Sequence, residues 1–127
     1  MDTTIIETDK APKAIGPYSQ AVSKGNMLFI SGQLGLDPET GKIPQGDIAL
    51  QAELALKNLL SILNAAGLDP SHVVKATIFL TDMNDFAKVN EVYGKFFKAP
   101  YPARACVEVS RLPKDGKVEI EAIAIKG

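Results

Sequence analysis

The 127-residue chain has one cysteine, one histidine and no tryptophan. A lone thiol, Cys106, rules out an intramolecular disulfide, and with His72 as the only imidazole no Cys/His cluster is available to hold a metal ion. Neither sign of charge is in excess, since 14 Lys and Arg stand against 15 Asp and Glu for a net charge of −1. With no long basic run, that balance argues against nucleic acid as a partner, while a small anion could still be held by a single arginine. No apolar run reaches membrane-spanning length. The segment from Met1 to Glu7 lacks the basic start and apolar core of a secretion signal, and also the Arg-rich character of a transit peptide. These absences lead us to expect a reduced, metal-free, cofactor-free protein of the cytoplasm, folded as a single domain over residues 1–127.

Local patterns supply an order of elements. Thr3 to Thr8 is rich in β-branched residues and reads as a first strand. Lys10 to Pro17, with two prolines and a glycine, reads as a loop that delivers Tyr18 to a second strand ending near Ser23. After the turn residues Lys24-Gly25-Asn26, the apolar run Met27 to Gly32 has the look of a strand buried on both faces. Its closing Ser31-Gly32 marks either a strand end or a bulge where something approaches the backbone closely. Asp47 is placed to cap a helix running to about Ala66 and closed by Gly67, with Ile48, Ala52, Ala55, Leu59, Leu63 and Ala66 on one stripe. Val73 to Leu80 is a strand, entered through Asp69-Pro70-Ser71-His72. Nothing pairs with His72 in sequence, so it reads as a surface or locally bonded residue.

Thr81 or Asp82 can cap a second helix from Met83 to Phe97, whose apolar stripe is Phe86, Val89, Tyr93 and Phe97. Asn90 falls on the same stripe, and a polar amide there needs a partner, either neighbouring backbone or something in a pocket. The chain ends in two β-rich runs, Tyr101 to Val109 and Val118 to Ile125, around Pro113-Lys114-Asp115-Gly116, which together read as a hairpin. Strand alternation puts Arg104, Cys106 and Glu108 on one face of the first run, and Glu119 and Glu121 on one face of the second. The polar faces of these strands thus carry an arginine, a thiol and carboxylates.

The expected architecture is α+β, in the order βββαβαββ, with two helices on one face of a mixed sheet. The uncovered sheet face then has to be buried elsewhere, and closed cyclic self-association is the simple solution. Arg104 is the strongest candidate for ligand binding, because its planar fork of donors matches a carboxylate in bidentate fashion. A salt bridge to Glu108 or Glu121 would instead leave it occupied.

The run PARACVEVSRLPKDGKVEIEAIAI resembles the C-terminal signature of the reactive intermediate deaminase family, RidA or YjgF. Ala14-Ile15-Gly16-Pro17-Tyr18-Ser19-Gln20, Ile30-Ser31-Gly32-Gln33, Asn84-Asp85-Phe86 and Asn90-Glu91-Val92-Tyr93 match that family in the same order. The resemblance implies a chorismate-mutase-like fold and a homotrimer in which three sheets line a central barrel, with sites in clefts between subunits. It also implies hydrolysis of 2-imino acids and their enamine tautomers, such as 2-aminoacrylate, to 2-keto acids and ammonia. Arg104 would anchor the substrate carboxylate and Glu119 would hold and partly deprotonate a water, without metal or organic cofactor. Tyr18, Ser31, Gly32, Asn90 and Cys106 are carried over as substrate-binding positions. Cys106 would contribute through its backbone, since no histidine is placed near it to activate the thiol.

Two other functions fit parts of the pattern: a non-catalytic sensor of small keto acids, and the ribonuclease or translation-inhibitor label given to relatives. Spacing alone leaves one conflict. A tight hairpin would pair Glu119 near Glu108 to Ser110, several residues along the strand from Arg104.

Overall fold

Asp47 begins the longest helix by accepting the Leu50 amide at 3.0 Å, and α1 (Ile48–Ala65) ends at Gly67, which takes the left-handed conformation at φ 76°. Its buried stripe includes Ala52, Ala55, Leu56, Leu59, Ile62 and Leu63. Asp82 accepts the Asn84 amide and opens a 3-10 turn over Met83–Asp85 that leads into α2 (Phe86–Phe96). Inside α2, Gly94 costs about 1 kcal/mol of helix propensity relative to alanine. The computed structural model describes residues 2–127.

The strands are β1 (Thr4–Ile6), β2 (Ala21–Lys24), β3 (Met27–Leu34), β4 (Val73–Leu80), β5 (Ala103–Glu108) and β6 (Val118–Ile125). They form one mixed sheet in the order β1-β2-β3-β6-β4-β5, with β4 and β5 parallel and the other neighbours antiparallel. Both helices pack on one face, where Leu28, Ile30, Ala76, Ile78, Leu80, Val118, Ile120, Ala122 and Ala124 join the α1 stripe, Val89 and Tyr93 in one core. The expected element order and two-layer fold are therefore observed. Strand bounds differ: the second strand begins only at Ala21, leaving Tyr18 in the preceding loop, and the third extends to Leu34.

The hairpin expected around Pro113 to Gly116 does not form. β5 and β6 are separated by β4, so β5 returns parallel to β4 through α2, and the Pro113–Asp115 turn crosses over β4 instead of closing a two-strand ladder. Glu119 consequently pairs with Phe79 and Leu34, not with the end of β5.

Two further expectations are corrected by the register. Arg104, Cys106 and Glu108 are paired with Ala76, Ile78 and Leu80, which places them on the helix-covered face, while Ala105 and Val107 lie on the uncovered one. The third strand is buried on one face only, because Phe29 points to the uncovered side and is exposed. There it belongs to a cross-strand row, Ile5-Val22-Phe29-Ile123, that no other element of the chain covers.

Candidate functional site

α2 and β5 hold Arg104 between them. The Asn90 Oδ1 accepts from the Arg104 Nη1 at 2.7 Å, and the guanidinium carbon lies 4.8 Å from the Tyr93 ring centroid and 5.5 Å from that of Phe86. Those three residues sit at helical spacing on one side of α2, so the helix offers the cation two π-faces and one amide oxygen. Asn90 lies at the exposed edge of the stripe, not within its buried part, and its amide oxygen is engaged by the arginine. Among the described residues the ion pair is Arg111 with Asp115, and the other close approach of this kind is the His72 Nδ1, 3.4 Å from an Asp69 carboxylate oxygen. Neither Glu108 nor Glu121 neutralises Arg104; Glu108 instead accepts the Met83 amide at 2.8 Å.

The arginine opens onto a cleft lined by Asn90, Tyr93, Gly94, Tyr101, Pro102 and Arg104. Cys106 lies two residues further along β5 on the same face, packed against the core. Burial pushes its thiol pKa up, with Arg104 pulling partly the other way, so the thiol form dominates at neutral pH.

The second group of candidates gathers on the other side of the sheet. β3 carries a bulge between Ile30 and Gln33, and Ser31-Gly32 occupy it. The Ser31 hydroxyl donates to the Ser19 carbonyl at 2.6 Å and the Ser31 amide donates to Gln20, which ties the Tyr18 loop to the bulge. Gln20 is buried and secures the same loop from beneath: its Oε1 accepts the Thr8 amide, and its Nε2 donates to the carbonyls of Thr8, Ala11 and Pro12. Tyr18 is left 54% exposed. Glycine at 32 has a steric reason, since a Cβ there would lie 2.7 Å from the Glu119 Cδ. The carboxylate arm lies across the bulge, and Tyr18, Ser31, Gly32, Glu119 and Glu121 border one broad cleft.

Burial raises the Glu119 pKa above the ordinary carboxylate value, and repulsion from Glu121 adds to it. Below the unfolded-state value both states hold the proton. As pH rises from there through the raised folded value, the unfolded chain releases it first, so native stability falls across that window and stays reduced above it. Glu119→Gln is therefore expected to melt a few degrees higher than wild type at pH 7 and no higher below pH 4, a difference that thermal melts across pH would read.

The candidates thus fall into two groups: Asn90, Arg104 and Cys106 on the helix-covered face, and Tyr18, Ser31, Gly32 and Glu119 on the open one. The sheet stands between Arg104 and Glu119 within one chain. Phe86, Tyr93, Gly94 and Tyr101 were missed as site residues. The first two share the α2 stripe with Asn90, and that spacing reads equally well as core. No group of three or more Asp, Glu, His or Cys placed to hold a metal occurs among the described residues, and no described helix is long and apolar enough to cross a membrane.

Comparison with known proteins gives a consistent set of relatives. Residues 8–126 match the family described as endoribonuclease L-PSP. The chain is 55% identical over 123 residues to bovine (Bos taurus) 2-iminobutanoate/2-iminopropanoate deaminase, covering 97% of this chain and 90% of the relative. Among solved structures, Escherichia coli TdcF with bound serine superimposes with a TM-score of 0.93 at 54% identity, over 98% of this chain and 99% of that one. The YjgF gene product of E. coli gives a TM-score of 0.92 at 50% identity, over 98% and 99%.

Proposed function

Because the chain belongs to the RidA/YjgF family, also described as endoribonuclease L-PSP, we propose that it is a deaminase that hydrolyses reactive 2-imino acids to 2-keto acids and ammonia. One observation carries this reading: an arginine held in place by an amide and two aromatic rings, without a carboxylate partner, at the wall of an open cleft. Such a guanidinium is prepared for a carboxylate supplied from outside. A relative crystallised with serine, itself an α-amino acid, is consistent with that ligand class.

In the proposed reaction the substrate reacts as its iminium: water adds to the imine carbon while Glu119 takes one of its protons, leaving a neutral carbinolamine. Glu119 gives that proton to the amino nitrogen, the carbon–nitrogen bond breaks as the hydroxyl oxygen forms the carbonyl, and the hydroxyl proton passes to the freed Glu119 carboxylate and on to solvent. Iminium plus water thus gives keto acid plus ammonia and one proton. A carboxylate with a raised pKa suits this exchange, being a stronger base than an ordinary one. An enamine such as 2-aminoacrylate enters after protonation at its terminal carbon.

Arg104 and Glu119 can serve one substrate only if they come from different subunits. The uncovered row of Ile5, Val22, Phe29 and Ile123 supports self-association through that face, and we take the assembly to be a cyclic homotrimer.

RNA cleavage is the weaker reading. The lone imidazole, His72, is engaged in a local capping box in which its Nδ1 accepts the Asp69 amide, and the net charge of −1 offers no footprint for a polyanion. The test is a coupled assay in which an amino-acid oxidase or a pyridoxal-dependent dehydratase generates the imine and keto-acid release is timed. Acceleration over buffer is expected; rates equal to buffer across several amino acids would overturn the deaminase reading in favour of a keto-acid sensor.

A further inference from the structure

We propose that Gly94 sets the size of the apolar side chain that the cleft beside Arg104 admits on a 2-imino acid. The inference rests on Arg104 as carboxylate anchor. Gly94 lies inside α2, where glycine is among the poorest helix formers, and its φ is not positive. Nor does packing demand it. A Cβ at Gly94 would meet nothing within 4 Å, whereas at Gly35 it would lie 2.5 Å from the backbone oxygen of Gln51. Neither conformation nor close approach within the chain accounts for the missing side chain.

What Gly94 borders is the arginine's cleft. It follows Asn90 by four residues, so it shares that residue's side of the helix and lies about 5–6 Å beyond the amide that holds the guanidinium. Across from it stand Tyr101 and Pro102, and Arg104 is the only charged residue of the lining. The space is about 460 Å³ on this chain, against six non-hydrogen atoms in 2-iminopropanoate. With the carboxylate on Arg104, nothing in this chain obstructs a longer apolar substituent along α2, past the bare backbone of Gly94 and against the ring of Tyr101.

The experiment compares wild type with Gly94→Ala and Gly94→Leu on imines generated from alanine and from leucine. The ratio of kcat/KM for the small imine to that for the large one is expected to rise severalfold with alanine and by about tenfold or more with leucine. Both replacements favour helix, so thermal midpoints at or above wild type separate this effect from misfolding. Ratios that stay at the wild-type value in both variants would overturn the proposal. If wild type hydrolyses neither imine, the deaminase reading fails by itself, and binding of pyruvate and 4-methyl-2-oxopentanoate by calorimetry decides the role of Gly94. Selective loss of the larger acid in Gly94→Leu supports it; equal loss, or no binding of either acid to wild type, overturns it.

Discussion

Arg104→Ala is expected to lower kcat/KM for imine hydrolysis by about two to three orders of magnitude, measured in the coupled assay on protein shown by scattering to keep its assembly. The size follows from what is removed: two charge-assisted hydrogen bonds to a carboxylate in a partly enclosed cleft, whose truncation generally costs 2–5 kcal/mol. Most of the loss should fall on KM, because the substrate carboxylate stays charged throughout and is held as firmly before the reaction as during it. Loss of orientation at the imine carbon adds a smaller fall in kcat. Arg104→Lys keeps the charge but cannot keep both the Asn90 bond and a two-pronged grip, so it should recover only a minor part of the activity. Folding is not expected to fail. The arginine is only half-buried, and its stacking on Tyr93 and Phe86 is worth about 1 kcal/mol. A variant with wild-type kcat/KM would remove Arg104 from the site altogether.

The local signals read well from sequence because they act within a few residues. Asp47 and Gly67 bound α1 through caps, Val73 to Leu80 announce β4 by β-branched alternation, and Ser31-Gly32 mark a bulge where Glu119 presses on the backbone. The partners of β5 did not, for a physical reason. Pro113-Lys114-Asp115-Gly116 has the composition of a hairpin turn, yet Lys114 and Asp115 take the positive φ values and Gly116 does not. Whether the chain then pairs backward or crosses to another strand depends on contacts with β3 and β4, far away in sequence.

The faces were hidden in a similar way. A period of two says that Arg104 and Cys106 oppose Ala105 and Val107; it does not say which set the helices cover. Hydrophobicity points the wrong way here, since the apolar pair faces outward and the arginine faces the helix layer. That inversion is itself informative. A sheet that directs alanine and valine to its uncovered side, alongside Ile5, Phe29 and Ile123, leaves an apolar patch there that the proposed self-association would bury.

If that surface is another copy of the chain, activity can be restored between two dead proteins. Arg104→Ala and Glu119→Ala, co-expressed with different tags and purified through both, should give mixed trimers with about one third of wild-type activity, although each variant alone is nearly inactive. The fraction follows from ring geometry. In a cyclic trimer each cleft takes Arg104 from one subunit and Glu119 from the next, and no other pairing of neighbours restores both. A ring with two chains of one kind and one of the other has three ordered neighbour pairs, of which one joins an intact arginine to an intact glutamate. Both mixed compositions therefore carry one working cleft in three, whatever the expression ratio. Had the two residues met within a single chain, no chain in the mixture would hold both, and the doubly purified sample would stay at the level of the single variants. The register of β4 against β5 and β6 already sets Arg104 and Glu119 on opposite faces of the sheet, so recovery is the expected result. Its absence in verified mixed trimers would overturn the reading in which Arg104 of one subunit and Glu119 of the next serve one substrate.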